Sequence, residues 1–336
     1  ARPEEELLAD LHEAIAFVRA FLEERSASLD KIIEQTGFAR NAAILAAKEA
    51  ANENDETRKR FEVMCRVVFS KFKAYITIEG VNDCRADFDA INIVYRSLQQ
   101  DREQADITDI IRQLHQVVDD AIEVREGPSE NLPGTYDISR IDFDRLRREF
   151  ERSPAKRTTV QNLKSAIEQR LQRLLQQNPL RTDFQRHYEE IVAEYNREKD
   201  RATIEKTFEA LLQLINEIDD EESRAVREGL DEESLAVFDL LKKTDLSAGE
   251  IKKVKEVAVD LLKTLKAKIQ KSNQWRDKES IRDGIRLVIH NYLWNDQTGL
   301  PEGYSEEEVQ DKTEAVFVHV LRAYPMVPSP YYADMA

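Results

Sequence analysis

Residues that reverse a chain are scarce here: 9 glycines and 9 prolines in 336 residues. A chain with so few turn signals must run in long segments. Within those segments apolar residues recur every three or four positions, the period of an α-helix. Leu7, Leu8, Leu11, Ile15, Val18, Phe21 and Leu22 keep that spacing, as do Ile251, Val254, Val257, Leu261, Leu262 and Leu265. Phe61, Met64, Cys65, Val68, Phe69, Phe72 and Ile76 form the widest stripe of the N-terminal half, which marks a central helix. The expected fold is all-α: a multi-helix bundle of about 12–13 helices with no significant sheet. Hydrophobic residues make up 41% of the chain, enough for a core despite 35% charged residues. No fixed repeat period emerges, which disfavours a solenoid.

Pro3 and the acids after it suit the start of a first helix that reads through to Gly37. A second, alanine-rich helix follows near Asn41–Asn52, then the Phe61 helix, one marked by Phe88, Ile91 and Val94, and one marked by Ile107 to Ile122 and opened by Asp106 or Thr108. The pattern then fails at Gly127-Pro128-Ser129-Glu130-Asn131-Leu132-Pro133-Gly134. This places an N-terminal helical subdomain at 1–126, a linker at 127–136 and a C-terminal helical subdomain at 137–336. In the latter, Asp231, Ser247 and Ser305 read as helix caps, and Trp275 or Asp277 as the opening of another helix.

The net charge of −16 argues against a surface coated all round for nucleic acid. Its distribution is polarised. Residues 140–186 hold twelve Lys/Arg against six Asp/Glu, and residues 242–286 thirteen against seven, so each stretch carries +6 and the remainder −28. Arg140, Arg145, Arg147, Arg148, Arg152, Lys156 and Arg157 crowd one helix junction, where they can meet a DNA backbone or an acidic partner, or simply pair with the chain's own carboxylates. Lys252, Lys253, Lys255, Lys263, Lys266, Lys268 and Lys271 present the same choice, with no aromatics interleaved for base stacking.

Residue patterns for chemistry are thin. No Gly-Lys-Ser/Thr occurs for a phosphate cradle. Two Asp-Glu-Glu-Ser tetrads, at Asp220 and Asp231, look like a helicase acidic box but lack the apolar strand that should precede one, so they read as helix ends and caps. The one Glu-x-Lys match, Glu250-Ile251-Lys252, falls within a helical pattern and has no upstream Pro-Asp. None of the five histidines follows an acid by three residues, as a di-iron bundle requires. Catalytic, cofactor-binding and metal-ligating residues are therefore expected to be absent. Cys65 and Cys84 read as free thiols of a cytoplasmic protein, and no apolar run reaches transmembrane length. The N-terminus, without an initiator Met, reads as the start of a piece of a longer protein.

One ordered run carries more. Gly229-Leu230-Asp231-Glu232-Glu233 leads into the apolar segment Leu235 to Leu241, then a lysine-rich helix, then Trp275 and the pattern Arg282, Ile285, Arg286, Ile289. With Phe208, Leu211, Leu212 and Ile215 upstream, this resembles the C-terminal helical region of the R (motor and nuclease) subunit of type I restriction enzymes. The resemblance is sharpest over residues 184–324; the loop from Trp294 to Tyr304 and the Pro-rich tail look like additions to it.

The resemblance implies a non-catalytic region that docks the ATP-dependent motor and endonuclease onto the methyltransferase core of modification and specificity subunits. The partners would be that core, the parent chain's own helicase domains and, through the basic stretches, DNA. ATP and magnesium would belong to upstream domains of the parent subunit. Trp275, just ahead of the Ile281–Ile285–Val288–Ile289 stripe, is the expected anchor that closes the junction with the Leu261–Leu265 helix. Composition alone permits two other classes: a free-standing helical scaffold or adaptor, and a nucleic-acid-binding module acting through residues 140–186 and 242–286.

Overall fold

The computed structural model of the chain describes residues 4–119, 143–197, 201–272 and 274–332. Among these residues it is helical throughout, with no strand. The helices are α1 (Glu4–Glu23), α2 (Leu29–Glu34), α3 (Gly37–Ala51), α4 (Asp55–Ala74), α5 (Arg85–Glu103), α6 (Ile107–Asp119), α7 (Phe143–Arg152) and α8 (Lys156–Gln177). Then follow α9 (Thr182–Arg197), α10 (Arg201–Glu222), α11 (Arg224–Glu228), α12 (Glu232–Leu241), α13 (Ala248–Gln270), α14 (Glu279–Leu293) and α15 (Glu306–Ala323). A 3-10 turn, Val81–Cys84, precedes α5.

The bundle is all-α, as the periodicity predicts, with fifteen α-helices among the described residues beside the expected 12–13. The two extra ones, α2 and α11, have only six and five residues, too short to show a period. The first helix does not run to Gly37. It ends at Glu23, where Ser26 takes a left-handed φ of 62°, and Gly37, with φ +57°, opens α3. A serine rarely adopts that conformation, so nothing in the sequence announces the break. Ile76 lies beyond the end of α4 and is exposed. The Asp231, Ser247 and Ser305 caps are all present, the last two as full capping boxes. Asp106 Oδ1 accepts from Asp109 N at 3.1 Å at the start of α6. α14 starts later than expected, at Glu279 after Lys278, without a side-chain cap.

By contacts the chain groups into two compact units, residues 1–168 with 188–215 and residues 169–187 with 216–336. This grouping divides the chain differently from a break at 127–136, a segment that lies outside the described residues.

In the first unit α1 and α4 run antiparallel. Lys71 Nζ donates to Asp10 Oδ1 at 2.5 Å near one end, and the Phe21 and Phe61 rings meet at 5.4 Å near the other. Farther along, Phe150 of α7 stacks on Phe208 of α10 with ring centroids 3.9 Å apart. A polar hub ties α8 and α9 to the α3–α4 junction. Asp55 accepts from Lys164 and from the amides of Gln161 and Asn196, and the Tyr195 hydroxyl donates to the carbonyls of Asn52 and Glu53. Burial pushes the Asp55 carboxyl up, but Lys164 and the two amides outweigh it and hold the group below its usual value.

The second unit packs α12, α13, α14 and α15 around one core that includes Leu235, Leu241, Leu261, Leu265, Ile285, Ile289, Val316 and Val320. α12 is buried on nearly every side, which explains why its sequence is apolar all round. Cys65 and Cys84, both in the first unit, are buried free thiols. Among the described residues no helix is long and apolar enough to cross a membrane.

Candidate docking surface

The basic stretch singled out in the sequence falls on α7 and the start of α8, except Arg140, which lies outside the described residues. Much of its charge is answered internally. Arg145 Nε donates to the buried Glu149 carboxylate at 2.8 Å, where His115 Nδ1 also sits at 2.6 Å. Arg147 meets Glu209 at 2.6 Å, and Lys156 meets Glu205 at 3.0 Å. The Arg157 backbone N–H donates to Glu49. Arg148 and Arg152 are exposed. Arg147 thus fastens α7 to α10 and Lys156 fastens α8 to α10, while Arg145 pairs within α7.

The lysines of α13 divide in the same way. Lys255 meets Glu228 at 2.7 Å, Lys266 meets Glu233 at 2.5 Å, and Lys253 donates to the Gln297 carbonyl at 2.9 Å. Lys252, Lys263, Lys268 and Lys271 point to solvent among exposed Glu256 and Asp260.

Trp275 is 2% exposed and lies in the same core as Leu261, Leu265, Ile285 and Ile289. Its indole Nε1–H donates to the Tyr324 carbonyl at 2.9 Å, so the ring also fastens the end of α15. The Tyr324 hydroxyl in turn donates to Glu233 Oε2 at 2.6 Å.

The two Asp-Glu-Glu-Ser tetrads are parts of an ion network. Arg181 meets Glu221 at 2.8 Å and Glu232 at 3.0 Å; Arg224 meets Glu221 at 2.8 Å and also Asp239. Asn178 Nδ2 donates to Asp239 Oδ2 at 2.7 Å, and Arg170 binds Asp219 and Glu222. Burial raises the Glu232 carboxyl, and Arg181 only partly offsets it. For Asp239 the balance goes the other way: burial pushes the carboxyl up, but hydrogen bonds and charge from Arg224, with the Asn178 amide, hold it below its usual value. The network joins the α8–α9 turn, the end of α10, and α11 and α12. It positions these segments against one another. Among the described residues no group of three or more His, Cys, Asp or Glu is placed to hold a metal ion.

Beside this network, the last turns of α8 and the chain after it face α15 across an open cleft of about 720 Å³. Leu175, Leu180, Leu240 and Val318 give it apolar lining, joined by Tyr331 and by the exposed charged residues Asp311, Glu314 and Arg322. Leu180 is 53% exposed and Val318 37%. The Tyr331 segment is held by Gln177, whose side-chain amide donates to the Tyr331 carbonyl at 2.9 Å and whose own carbonyl accepts from the Tyr332 hydroxyl. Sequence reading missed the cleft. Its lining comes from three separate segments, residues 172–180, Leu240 and residues 311–331, and only the proline after Gln177-Asn178 hints at a chain reversal there.

The chain belongs to a family of C-terminal regions of type I restriction enzyme endonuclease subunits. The matching family is described as "Type I restriction enzyme HindI endonuclease subunit-like, C-terminal", and the match covers residues 1–323. It extends the resemblance read from residues 184–324 back to the N-terminus. It also takes in the loop from Trp294 to Tyr304, and it stops just before the Pro-rich tail. No curated protein and no solved structure matches the chain.

Proposed function

We propose that this chain is a non-catalytic docking region that attaches the ATP-dependent motor and endonuclease of a type I restriction enzyme to its methyltransferase core of modification and specificity subunits. ATP and magnesium belong, on this reading, to other domains of the parent subunit. The observation that carries the proposal is the cleft of the second unit: apolar lining that includes the exposed Leu180 and Val318, together with charged Asp311, Glu314 and Arg322, within the family-matched range apart from Tyr331. An apolar centre with a polar rim is the anatomy of a protein interface, and a cleft between helices suits an amphipathic helix of the partner.

The test is a pull-down of the subunit with the modification–specificity complex, comparing wild type with the double variant Leu180→Glu and Val318→Glu. Both side chains are exposed, so the variant is expected to melt like wild type yet lose association by tenfold or more, since each buried charge without a partner costs roughly 1–3 kcal/mol or more. Undiminished association of the double variant would refute the assignment of this face. Absence of association for the wild-type subunit would refute the docking role.

A further inference from the structure

A stripe of exposed positive charge lies where neither basic stretch of the sequence falls, on the outer face of α4. Reading that face at helical spacing gives Lys59, Arg60, Val63, Arg66, Val67, Ser70 and Lys73, all exposed. With Glu56, one turn before Lys59 and Arg60, it holds four cations against one carboxylate, in a chain of net charge −16. The opposite face is the one that packs, with Phe61, Cys65, Val68 and Phe72 in the core.

The cations have few internal partners among the described residues. Lys59 and Lys73 have no ion pair or hydrogen bond among the described residues. Arg60 lies 6.0 Å from the Phe21 ring centroid, a weak contact. Arg66 approaches only Glu62, at 3.9 Å, and that carboxylate is already held by Arg58 at 3.3 Å and Gln99 at 3.1 Å. Glu56, exposed at the start of the helix, lies on this face one turn before Lys59 and Arg60 and leaves it a balance of +3. The contrast with α7 is direct: there Arg145 and Arg147 are neutralised by Glu149 and Glu209.

We infer that this face of α4 is a DNA-backbone contact surface. At a rise of about 1.5 Å per residue, Lys59 to Lys73 spans about 21 Å, with Arg66 midway. One strand of duplex DNA advances about 3.4 Å per phosphate, so the stripe runs alongside about six phosphates and offers four cations to them. Val63 and Val67 occupy the intervening positions without adding negative charge. The overall −16 does not prevent this, because at about 0.1 M salt charges more than roughly 10 Å away are screened while contacting cations are not. Duplex DNA is the polyanion that an endonuclease subunit of this family meets. The surface is independent of the cleft proposed for protein docking, so either reading can fail alone.

The test measures binding of a labelled mixed-sequence DNA duplex to the 336-residue chain by fluorescence anisotropy, as a function of salt. With four phosphate contacts, log affinity should fall against log salt with a slope of about −3.6, roughly a hundredfold loss between about 50 and 200 mM. The variant Lys59→Gln, Arg66→Gln, Lys73→Gln should lose about one unit of slope per residue removed while keeping its melting temperature. The control pair Arg148→Gln, Arg152→Gln on α7 should keep the wild-type slope. A wild-type chain without salt-dependent binding overturns the inference, and so does a triple variant that binds DNA like wild type. If the triple variant instead loses only its pull-down with the modification–specificity complex, the stripe is a protein contact and the DNA assignment is wrong.

Discussion

Trp275 illustrates how one residue can be legible in part. Its size and its place before an apolar stripe mark it as a core residue, and it is buried among Leu261, Leu265, Ile285 and Ile289. Its hydrogen bond to the Tyr324 carbonyl is another matter: it joins residues 49 apart, and no local pattern encodes it. Two substitutions separate these roles. Trp275→Ala should lower stability by about 3–5 kcal/mol through the cavity it leaves. Trp275→Phe keeps most of the ring but orphans the carbonyl, and should cost roughly 1–3 kcal/mol. Chemical denaturation of both variants checks the order; equal losses would mean that the hydrogen bond contributes nothing. Asp239 is the polar counterpart. It is buried, and Asp239→Ala would leave Arg224 and Asn178 without their shared acceptor, so about 3 kcal/mol should be lost. The Asp-Glu-Glu-Ser tetrads were readable as helix ends, but their arginine partners were not, since pairing depends on which helices the fold brings together.

At the scale of elements, the long helices were plain in the sequence because their apolar stripes persist over several turns. α13, and α4 apart from Ile76, follow their stripes closely, and the caps of α12, α13 and α15 follow from Asp231, Ser247 and Ser305. The short helices α2 and α11 escaped, as did the turn at Ser26. α15 also gives the second unit a pH response. His319 is buried beside Tyr324, with Nε2 3.4 Å from the Tyr332 hydroxyl, and burial pushes its pKa down to about 4. A histidine kept neutral by folding contributes stability fully above its unfolded pKa of about 6.5, and that contribution disappears as pH falls toward about 4, a loss of up to about 3 kcal/mol. The unfolded state binds the extra proton across that window, so stability rises with pH there. Asp239 acts in a separate range: its lowered pKa contributes stability above the ordinary carboxylate value of about 3.9, lost only as pH falls further. Thermal melts at pH 7.0 and 4.5 should therefore differ less for His319→Gln than for wild type. An unchanged difference would show that another group governs this window.

For the whole molecule, the sequence resolved class better than surface. Family membership and the all-α bundle were both readable, the first from an ordered run of residues and the second from turn scarcity with periodicity. The positive stretch at 140–186 was a true feature of composition, yet the folded chain answers much of it with its own carboxylates. Charge counted along a sequence says how many cations there are; only packing says which remain available. The docking account also predicts that the isolated chain hydrolyses neither ATP nor DNA, and DNA-stimulated phosphate release by the purified chain would contradict it. Its central claim is most directly tested by hydrogen exchange of the subunit with and without the modification–specificity complex. The account predicts new protection over the end of α8, Leu180 and residues 311–322 of α15, the segments that line the cleft. Protection confined to other surfaces, with these segments exchanging as they do in the free subunit, would contradict it.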